Sequence, residues 1–597
     1  MSGIAAAGLI ISAALLFSAC GGSSTGNTAA GSTAAESTAA GNAAAGTGAV
    51  TSAAAETEAK EKSLRTEVID GLPMVDMTKW QYNAEDDVYW QVGIPYCASP
   101  ADESYETMGI FVPGAYFEGT ENGAGTYTCE KLPVAECGKY VADTAPMILP
   151  VNTPGYSAMA SPTGYESSFG YGSVTDYTKE GMVVVFAGCR GREHGAPLGV
   201  TDLKAAVRFV RYNSELLPGD AESIFCCGMS GGGAQSAILG ASGDSALYEP
   251  YLRQIGAAMD YSDAVQGVMC WCPVTNLDMA DEAYEWNMGM TREGLTEEEQ
   301  RLSDGMAEAF ADYINRLELT DGEGEALRLE KSETGIWQAG SYADYMKGVV
   351  ETSLNHFLAD TSFPYDADSS KNAGPGGFGG DNIRRSSSVS AAVSISGTCE
   401  TAEDYIAALN SPFTWVSYDA GTGTVSITSM ADFCRAMKPV SKGLGAFDAL
   451  DRGQGENTLF GYGSGEGSHF DPVLAELCAG TEHEDDFRKD LEQKDAAGST
   501  VKTRVDMYNP LYYLCSFYDG YGTSEPAGYW RIRSGIEQGD TALTTETNLA
   551  LAVAAYGPGH DVDFETVWGQ GHTMAERTGE STENFISWVN KCMSSAD

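Results

Sequence analysis

The chain has 597 residues, of which 43% are hydrophobic and 10% aromatic, and 84 acidic against 35 basic side chains give a formal net charge of -49. This composition is typical of a globular protein with a sizeable core, not of a disordered or fibrous one. The negative charge would repel phosphate backbones and anionic lipid head groups, so we expect no nucleic-acid partner.

Residues 1–20 have the pattern of an export signal. An apolar run at 4–17, too short to span a bilayer, ends in Phe17-Ser-Ala-Cys20-Gly-Gly, which resembles a bacterial lipobox. We therefore expect cleavage before Cys20, a diacylglycerol group on its thiol, and an extracellular protein anchored to the membrane. Residues 21–62 are mostly Ala, Gly, Ser and Thr, which predicts a flexible linker.

The cysteines and histidines do not suggest a metal site. The sequence has 14 cysteines without CxxC pairs and six histidines without an HExxH motif. Several cysteines lie in strand-like apolar runs, where a free thiol behaves as a small hydrophobic group. We expect no metal, no cofactor and no disulfide framework.

Residues 182–240 follow a strand, helix, strand, helix pattern. Residues 182–186 (MVVVF) predict a buried parallel strand, 201–212 a helix with one apolar face, and 223–227 a second strand. The motif Gly228-Met-Ser-Gly-Gly232 then leads into a helix. In this context Ser230 is predicted to be the nucleophile of a strand-to-helix elbow, with the Gly231 N–H beside it as an oxyanion donor.

A long insertion separates two parts of the predicted sheet. About 235 residues lie between the strand at 268–272 and Tyr508. Residues 296–317, 341–358 and 401–409 predict helices, whereas the Gly-, Ser- and Asn-rich residues 366–388 predict a loop. We predict an α/β-hydrolase domain from residues 63–272 and 508–597, with residues 273–507 inserted as a mainly helical cap (lid) over the carboxyl edge of the sheet.

A serine nucleophile needs a base, and in this fold class the order along the chain is Ser, acid, His. His572 follows the strand predicted at 562–568 and would lie at the same sheet edge as Ser230. His560 precedes that strand, so we assign the base to His572.

The loop after the strand predicted at 529–533 contains two carboxylates, Glu537 and Asp540. Either could hold the His572 imidazole in the correct tautomer. We favour Asp540 and keep Glu537 as the alternative; the competing interpretation for Asp540 is a helix N-cap.

Several motifs along the chain carry a family resemblance. They are Gly228-Met-Ser-Gly-Gly-Gly-Ala234, Cys272-Pro-Val-Thr-Asn-Leu-Asp-Met-Ala-Asp-Glu-Ala-Tyr-Glu-Trp286, Gly455-Glu-Asn-Thr-Leu-Phe460 and Trp530-Arg-Ile-Arg533. In this order they resemble bacterial subtype B tannases and related feruloyl-esterase-like α/β-hydrolases, over roughly residues 75–592. The resemblance implies hydrolysis of phenolic-acid esters, gallate above all, by the triad Ser230, Asp540 and His572, with a second oxyanion N–H from Gly155.

The resemblance also implies a lid Lys and Glu that bind galloyl hydroxyls. Glu456 matches the Glu, and Lys442, or less well Lys438, matches the Lys. An Asp-x-Asp-Thr motif is expected at the acid loop, but this chain has Gln538-Gly-Asp540-Thr. One of the two carboxylates is therefore absent, and either the triad acid or the phenol-binding Asp is reassigned.

The leading hypothesis is a lipid-anchored extracellular serine carboxylesterase for small galloyl or hydroxycinnamoyl esters, with no cofactor. A serine peptidase of the oligopeptidase type is one alternative, distinguished by turnover of aminoacyl amides. A non-catalytic binding lipoprotein on a hydrolase fold is another, distinguished by the failure of fluorophosphonates to label Ser230.

Overall fold

The computed structural model describes Ile69 and residues 71–370 and 390–595. The predicted signal with Cys20, the linker at 21–62 and residues 371–388 of the predicted loop lie outside these ranges. Within them, no helix is long and apolar enough to cross a bilayer.

A nine-stranded sheet organises the fold. Its strands are β1 (Gln81–Asn83), β2 (Val88–Pro95), β3 (Thr107–Pro113), β4 (Met147–Val151), β5 (Val183–Ala187), β6 (Ile224–Met229), β7 (Gly267–Trp271), β8 (Tyr529–Gly535) and β9 (Asp561–Val567). The spatial order is β1-β2-β3-β5-β4-β6-β7-β8-β9. Strands β1 to β3 pair antiparallel and β3 joins β5 antiparallel, whereas the six strands β4 to β9 form a parallel sheet. This is the α/β-hydrolase arrangement that the sequence predicts.

The parallel strands are buried because helices cover them. Every residue of β4, β5, β6 and β7 is buried, as expected for parallel strands without polar alternation. The helices are, in chain order, α1 (Val174–Thr178), α2 (Leu198–Tyr212), α3 (Gly231–Ala241), α4 (Glu249–Ile255), α5 (Ala280–Met288), α6 (Glu297–Leu317), α7 (Ser341–Asp360), α8 (Ala367–Ser370), α9 (Ala402–Leu409), α10 (Met430–Met437), α11 (Gly455–Leu459), α12 (Pro472–Leu477), α13 (Glu484–Leu491), α14 (Val501–Met507), α15 (Pro510–Leu514), α16 (Leu543–Tyr556) and α17 (Ser581–Ser595).

The cap is inserted between β7 and β8 and consists mainly of helices. The three helices predicted at 296–317, 341–358 and 401–409 are present as α6, α7 and α9. Helix α6 begins where predicted because Thr296 and Glu299 form a capping box. A hairpin of Val416–Asp419 and Thr424–Ile427 also lies in this region and was not predicted. The residue boundaries given for the domains stay a prediction.

In the part of the chain that the structure describes, all cysteines are free thiols. Over the same residues, no group of three or more His, Cys, Asp or Glu side chains is arranged to hold a metal ion.

Candidate active site

Ser230 lies at a sharp turn between β6 and α3. Its backbone is at φ 59° and ψ -124°, a left-handed conformation that non-glycine residues rarely adopt. The flanking glycines permit the turn, because a Cβ on Gly228 would lie 2.3 Å from the Gly232 carbonyl carbon. A Cβ on Gly232 would lie 2.0 Å from the Val151 carbonyl oxygen. The backbone therefore holds the hydroxyl at the carboxyl edge of the sheet.

His572 lies in the loop after β9, where the sequence predicts it. Its Nε2 is 2.8 Å from Ser230 Oγ, so the two side chains are hydrogen bonded. His560 immediately precedes β9 and hence lies at the opposite end of that strand. Because β6 and β9 run in the same direction, the loop after β9, and not the residue before it, lies at the sheet edge that carries Ser230.

The other imidazole nitrogen faces two side chains of the acid loop, residues 536–542. His572 Nδ1 lies 2.9 Å from Gln538 Oε1 and 3.6 Å from Asp540 Oδ2. Gln538 thus occupies the hydrogen-bonding position that we expected a carboxylate to hold, and Asp540 lies beside it. The sequence shows Gln538 where the family resemblance implies a carboxylate, but it does not identify Gln538 as the partner of the imidazole.

Glu537, the alternative acid, lies elsewhere in the same loop. Burial raises the pKa of the Tyr405 phenol, and the nearby charge of Glu537 adds to that shift. The cavity that contains Ser230 is lined by Asp540 and not by Glu537.

Three side chains of the cap donate hydrogen bonds to backbone carbonyl oxygens of the acid loop. Lys438 Nζ donates to the Gln538 carbonyl oxygen. The hydroxyls of Ser441 and Tyr284 donate to the Gly539 carbonyl oxygen, at 2.8 Å and 3.1 Å. Lys438, the weaker candidate for the galloyl-binding cation, is therefore a support of the loop.

The two predicted oxyanion donors lie next to each other. Gly231 begins α3, and the first N–H groups of a helix have no intrahelical acceptor. Gly155 lies in a tight turn after β4, and a Cβ on Gly231 would be 3.1 Å from its nitrogen. The N–H of Tyr156, also close, is bonded to the Thr153 carbonyl. The nitrogen of Gly155 therefore lies close to Gly231, the residue after Ser230.

A cavity of about 240 Å³ opens on Ser230. Its lining brings together the residues that the sequence singles out, namely Gly155, Ser230, Gly231, Lys442, Glu456, Asp540 and His572. Lys442 is buried, with Nζ 3.9 Å from the centre of the Phe447 ring. Glu456 is a buried residue of α11. Two carboxylates, one ammonium group and the guanidinium group of Arg192 therefore share the cavity with the serine.

Aromatic side chains also line this cavity. Trp286, Phe447 and Phe460 are buried in the core, whereas the cavity lining includes Tyr156 and Tyr171. Tyr156 donates through its hydroxyl to the Val274 carbonyl. Which aromatic residues reach the serine depends on tertiary packing that sequence patterns do not report.

The strand order, the serine at a strand-to-helix turn and the imidazole hydrogen-bonded to it define a hydrolase of the α/β-hydrolase class. Comparisons with known proteins make this more specific. The family model BD-FAE matches residues 143–312. No curated protein matches the chain.

Three solved structures illustrate the similarity. The tannin acyl hydrolase of Lactobacillus plantarum is 26% identical, with a TM-score of 0.63 over 88% of this chain and 99% of that chain. A tannase of Fusobacterium nucleatum is 27% identical, with a TM-score of 0.63 over 85% and 95% of the two chains. A tannin acyl hydrolase in complex with ethyl gallate is 26% identical, with a TM-score of 0.61 over 89% and 99%. The resemblance to tannases and feruloyl-esterase-like enzymes is confirmed, and the protein is a carboxylic ester hydrolase.

Proposed function

We propose that the protein is a serine carboxylesterase that removes a small, hydroxylated aromatic acid of the galloyl or hydroxycinnamoyl type from its ester. The observation that carries this proposal is the shared cavity of Ser230, Lys442, Glu456 and Asp540. Its volume of about 240 Å³ is below the range typical of drug-sized ligands, which favours one aromatic acyl group. The tannin acyl hydrolase bound to ethyl gallate supports this choice of substrate.

The proposed reaction begins at the 2.8 Å contact between Ser230 and His572. Oγ bonds to the ester carbonyl carbon while its proton passes to His572 Nε2. The carbonyl oxygen takes the negative charge and accepts from the N–H groups of Gly231 and Gly155. The bond to the alcohol oxygen then breaks, and that oxygen leaves with the proton from Nε2.

Water completes the turnover. It attacks the acyl group on Ser230 while His572 accepts one of its protons. The bond between the acyl carbon and Oγ breaks, and the proton returns from His572 to Oγ. The aromatic acid leaves and the serine is restored.

The aryl group is proposed to be recognised by its hydroxyls. Glu456 and Asp540 would each accept a hydrogen bond from a phenolic O–H, and Lys442 would donate to a phenolic oxygen. In a buried cavity, an acyl group without these hydroxyls leaves charged groups without partners, which costs binding energy. The cavity should therefore discriminate against unsubstituted benzoyl esters.

The test uses Ser230→Ala with methyl gallate as substrate. Loss of the nucleophile should lower kcat by at least about 10³-fold. The melting temperature should stay nearly unchanged, because only a hydroxyl is lost. Ser236→Ala, which changes a buried serine of the helix that follows Ser230, is the matched control and should keep its activity. Activity retained in Ser230→Ala, or failure of a fluorophosphonate to label wild-type Ser230, would refute the proposal.

We also propose that the mature protein is an extracellular lipoprotein anchored through Cys20. The support is the apolar run at 4–17, the lipobox-like residues at 17–22 and the small-residue linker at 21–62. Wild-type protein should partition with membranes, and Cys20→Ala should remove the lipid and release activity into the soluble fraction. Equal partitioning of the two proteins would contradict the anchor.

A further inference from the structure

A second carboxylate lies directly behind Gln538. While Gln538 Oε1 faces His572, its Nε2 is 2.5 Å from Oε1 of Glu546 on helix α16. Glu546 is completely buried. Hydrogen bonds therefore connect the His572 imidazole, the Gln538 amide and the buried Glu546 carboxylate in series.

Gln538 Nε2 also contacts the hydroxyls of Thr541 and Ser534, at 2.5 Å and 3.2 Å, but the Glu546 carboxylate is the partner that can only accept. Its Oε1 also accepts from the hydroxyls of Ser534 at 3.1 Å and Thr541 at 3.0 Å, so this oxygen is a strong acceptor. The two ends of an amide have nearly the same shape, and their hydrogen-bond partners decide the orientation. A carboxylate on one side requires the NH₂ group there and places the amide oxygen against His572.

The orientation of the amide in turn sets the tautomer of His572. An amide oxygen 2.9 Å from Nδ1 requires a proton on that nitrogen. Nε2 of the neutral ring then has no proton and can accept from the Ser230 hydroxyl. A reversed amide would give Nδ1 a donor instead and leave Nε2 protonated, which removes the base.

Charge at this site comes from several groups. Burial raises the pKa of Glu546 to about 7, and the positive charge of Lys438 opposes the shift. Burial lowers the pKa of Lys438, against the charges of Glu546 and Asp540. Oε2 of Glu546 has no hydrogen-bond partner among the residues that the structure describes. A buried carboxylate satisfied on one oxygen costs stability, so packing alone does not account for it.

We propose that Glu546 is a positioning residue: its carboxylate orients the Gln538 amide, and this amide, not a carboxylate, holds the Nδ1–H of His572. The inference rests on the proposed roles of Ser230 and His572. Two side chains in series then do the work that one triad acid does elsewhere, while Asp540, at 3.6 Å, adds negative charge near the ring.

The decisive experiment moves the carboxylate from position 546 to position 538, next to His572. Glu546→Gln alone should lower kcat about 30-fold, less than the ~10⁴-fold loss on neutralising a directly bonded triad acid, with KM within about twofold. The double variant Gln538→Glu/Glu546→Gln exchanges the amide and the acid and gives Nδ1–H a carboxylate acceptor. It should recover activity to within about threefold of wild type.

The control is Asp278→Asn. Burial also raises the pKa of Asp278, to about 6, and its carboxylate accepts a hydrogen bond from the Tyr518 hydroxyl. The melting temperature of this variant should fall while kcat stays unchanged. An unchanged kcat in Glu546→Gln, or a loss that the exchange does not recover in folded protein, would overturn the inference. Either result would leave the proposed function intact, because that depends on Ser230→Ala.

If Glu546→Gln does not fold, ¹⁵N NMR of histidine-labelled wild type carries the test. The chain has six histidines, and His572→Ala assigns the signal. At a pH where the ring is neutral, the inference requires the proton on Nδ1 and none on Nε2. The opposite tautomer would overturn it.

Discussion

The two ends of the His572 imidazole are held by different means. At the serine end, backbone atoms approach so closely that side chains are excluded at Gly228 and Gly232, and Ser230 itself adopts a left-handed conformation. At the acid end, Gln538 and Glu546 are joined through side-chain hydrogen bonds. The first arrangement depends on chain geometry and the second on matched donors and acceptors.

This difference fits the place where an amide, that of Gln538, meets the imidazole at the shortest distance. A position fixed by backbone contacts leaves no room for another residue. A hydrogen-bonded network can exchange a carboxylate for an amide if each donor still meets an acceptor. We therefore expect the acid end to tolerate replacement better, and substitutions at the two ends to fail in different ways.

The largest expected effect is at the serine end. In Gly232→Ala the new methyl group would meet the Val151 carbonyl oxygen at 2.0 Å, and neither backbone can move freely. We expect a loss of at least about 3 kcal/mol of unfolding free energy, measured by denaturant titration. Gly348→Ala in α7 is the control: nothing lies within 4 Å of its Cβ, and about 0.5–1 kcal/mol should be gained. Equal stability of the two variants would refute the account of the elbow.

The next largest effect is expected at the acid end, where Gln538 and Asp540 should affect different kinetic constants. Gln538→Leu removes the acceptor of Nδ1–H and should lower kcat about 100-fold, because the tautomer is no longer fixed. Asp540→Asn keeps that acceptor and should chiefly raise KM for methyl gallate, about 10-fold, because a phenol acceptor is weakened. Steady-state kinetics separate the two. The reverse order of kcat losses would make Asp540 the triad acid, as the sequence suggests.

A smaller effect concerns only the acyl group. Lys442→Met should lower kcat/KM for methyl gallate by roughly 10–50-fold and leave methyl benzoate within about threefold, because benzoate has no phenolic oxygen to accept from the ammonium group. Glu456→Gln should show the same selectivity with a weaker loss. The benzoate ester is the internal control. Equal losses on both esters would indicate damage to the site instead.

The smallest effect is expected at Glu537. Glu537→Gln should change kcat by less than about twofold, because its charge lies near Tyr405. A loss of more than about 10-fold would identify Glu537 as a working part of the site.

Sequence patterns predict that Ser230 and His572 lie together, as they do in the structure, but they do not predict which side chain meets the Nδ1 of His572. The elbow depends on a glycine motif between a strand and a helix, and His572 on the order of elements along the chain. The partner of Nδ1 depends instead on which side chains of one loop turn inward, which no periodicity reports. One available signal was Glu546, a carboxylate in an otherwise uncharged helix, Leu543–Tyr556. Antiparallel strands β1 to β3 were missed as well, because neighbouring strands determine such pairings more than local propensity does.

The hydrogen bonds that Lys438, Ser441 and Tyr284 make to the acid loop have a consequence for redesign. A smaller enzyme obtained by deleting residues 273–507 would lose these contacts along with Lys442 and Glu456, which line the cavity at Ser230. New selectivity is therefore better sought by exchanging side chains within the cap than by trimming it away. The cap thus both lines the cavity at Ser230 and supports the loop that holds His572, so removing it would affect both.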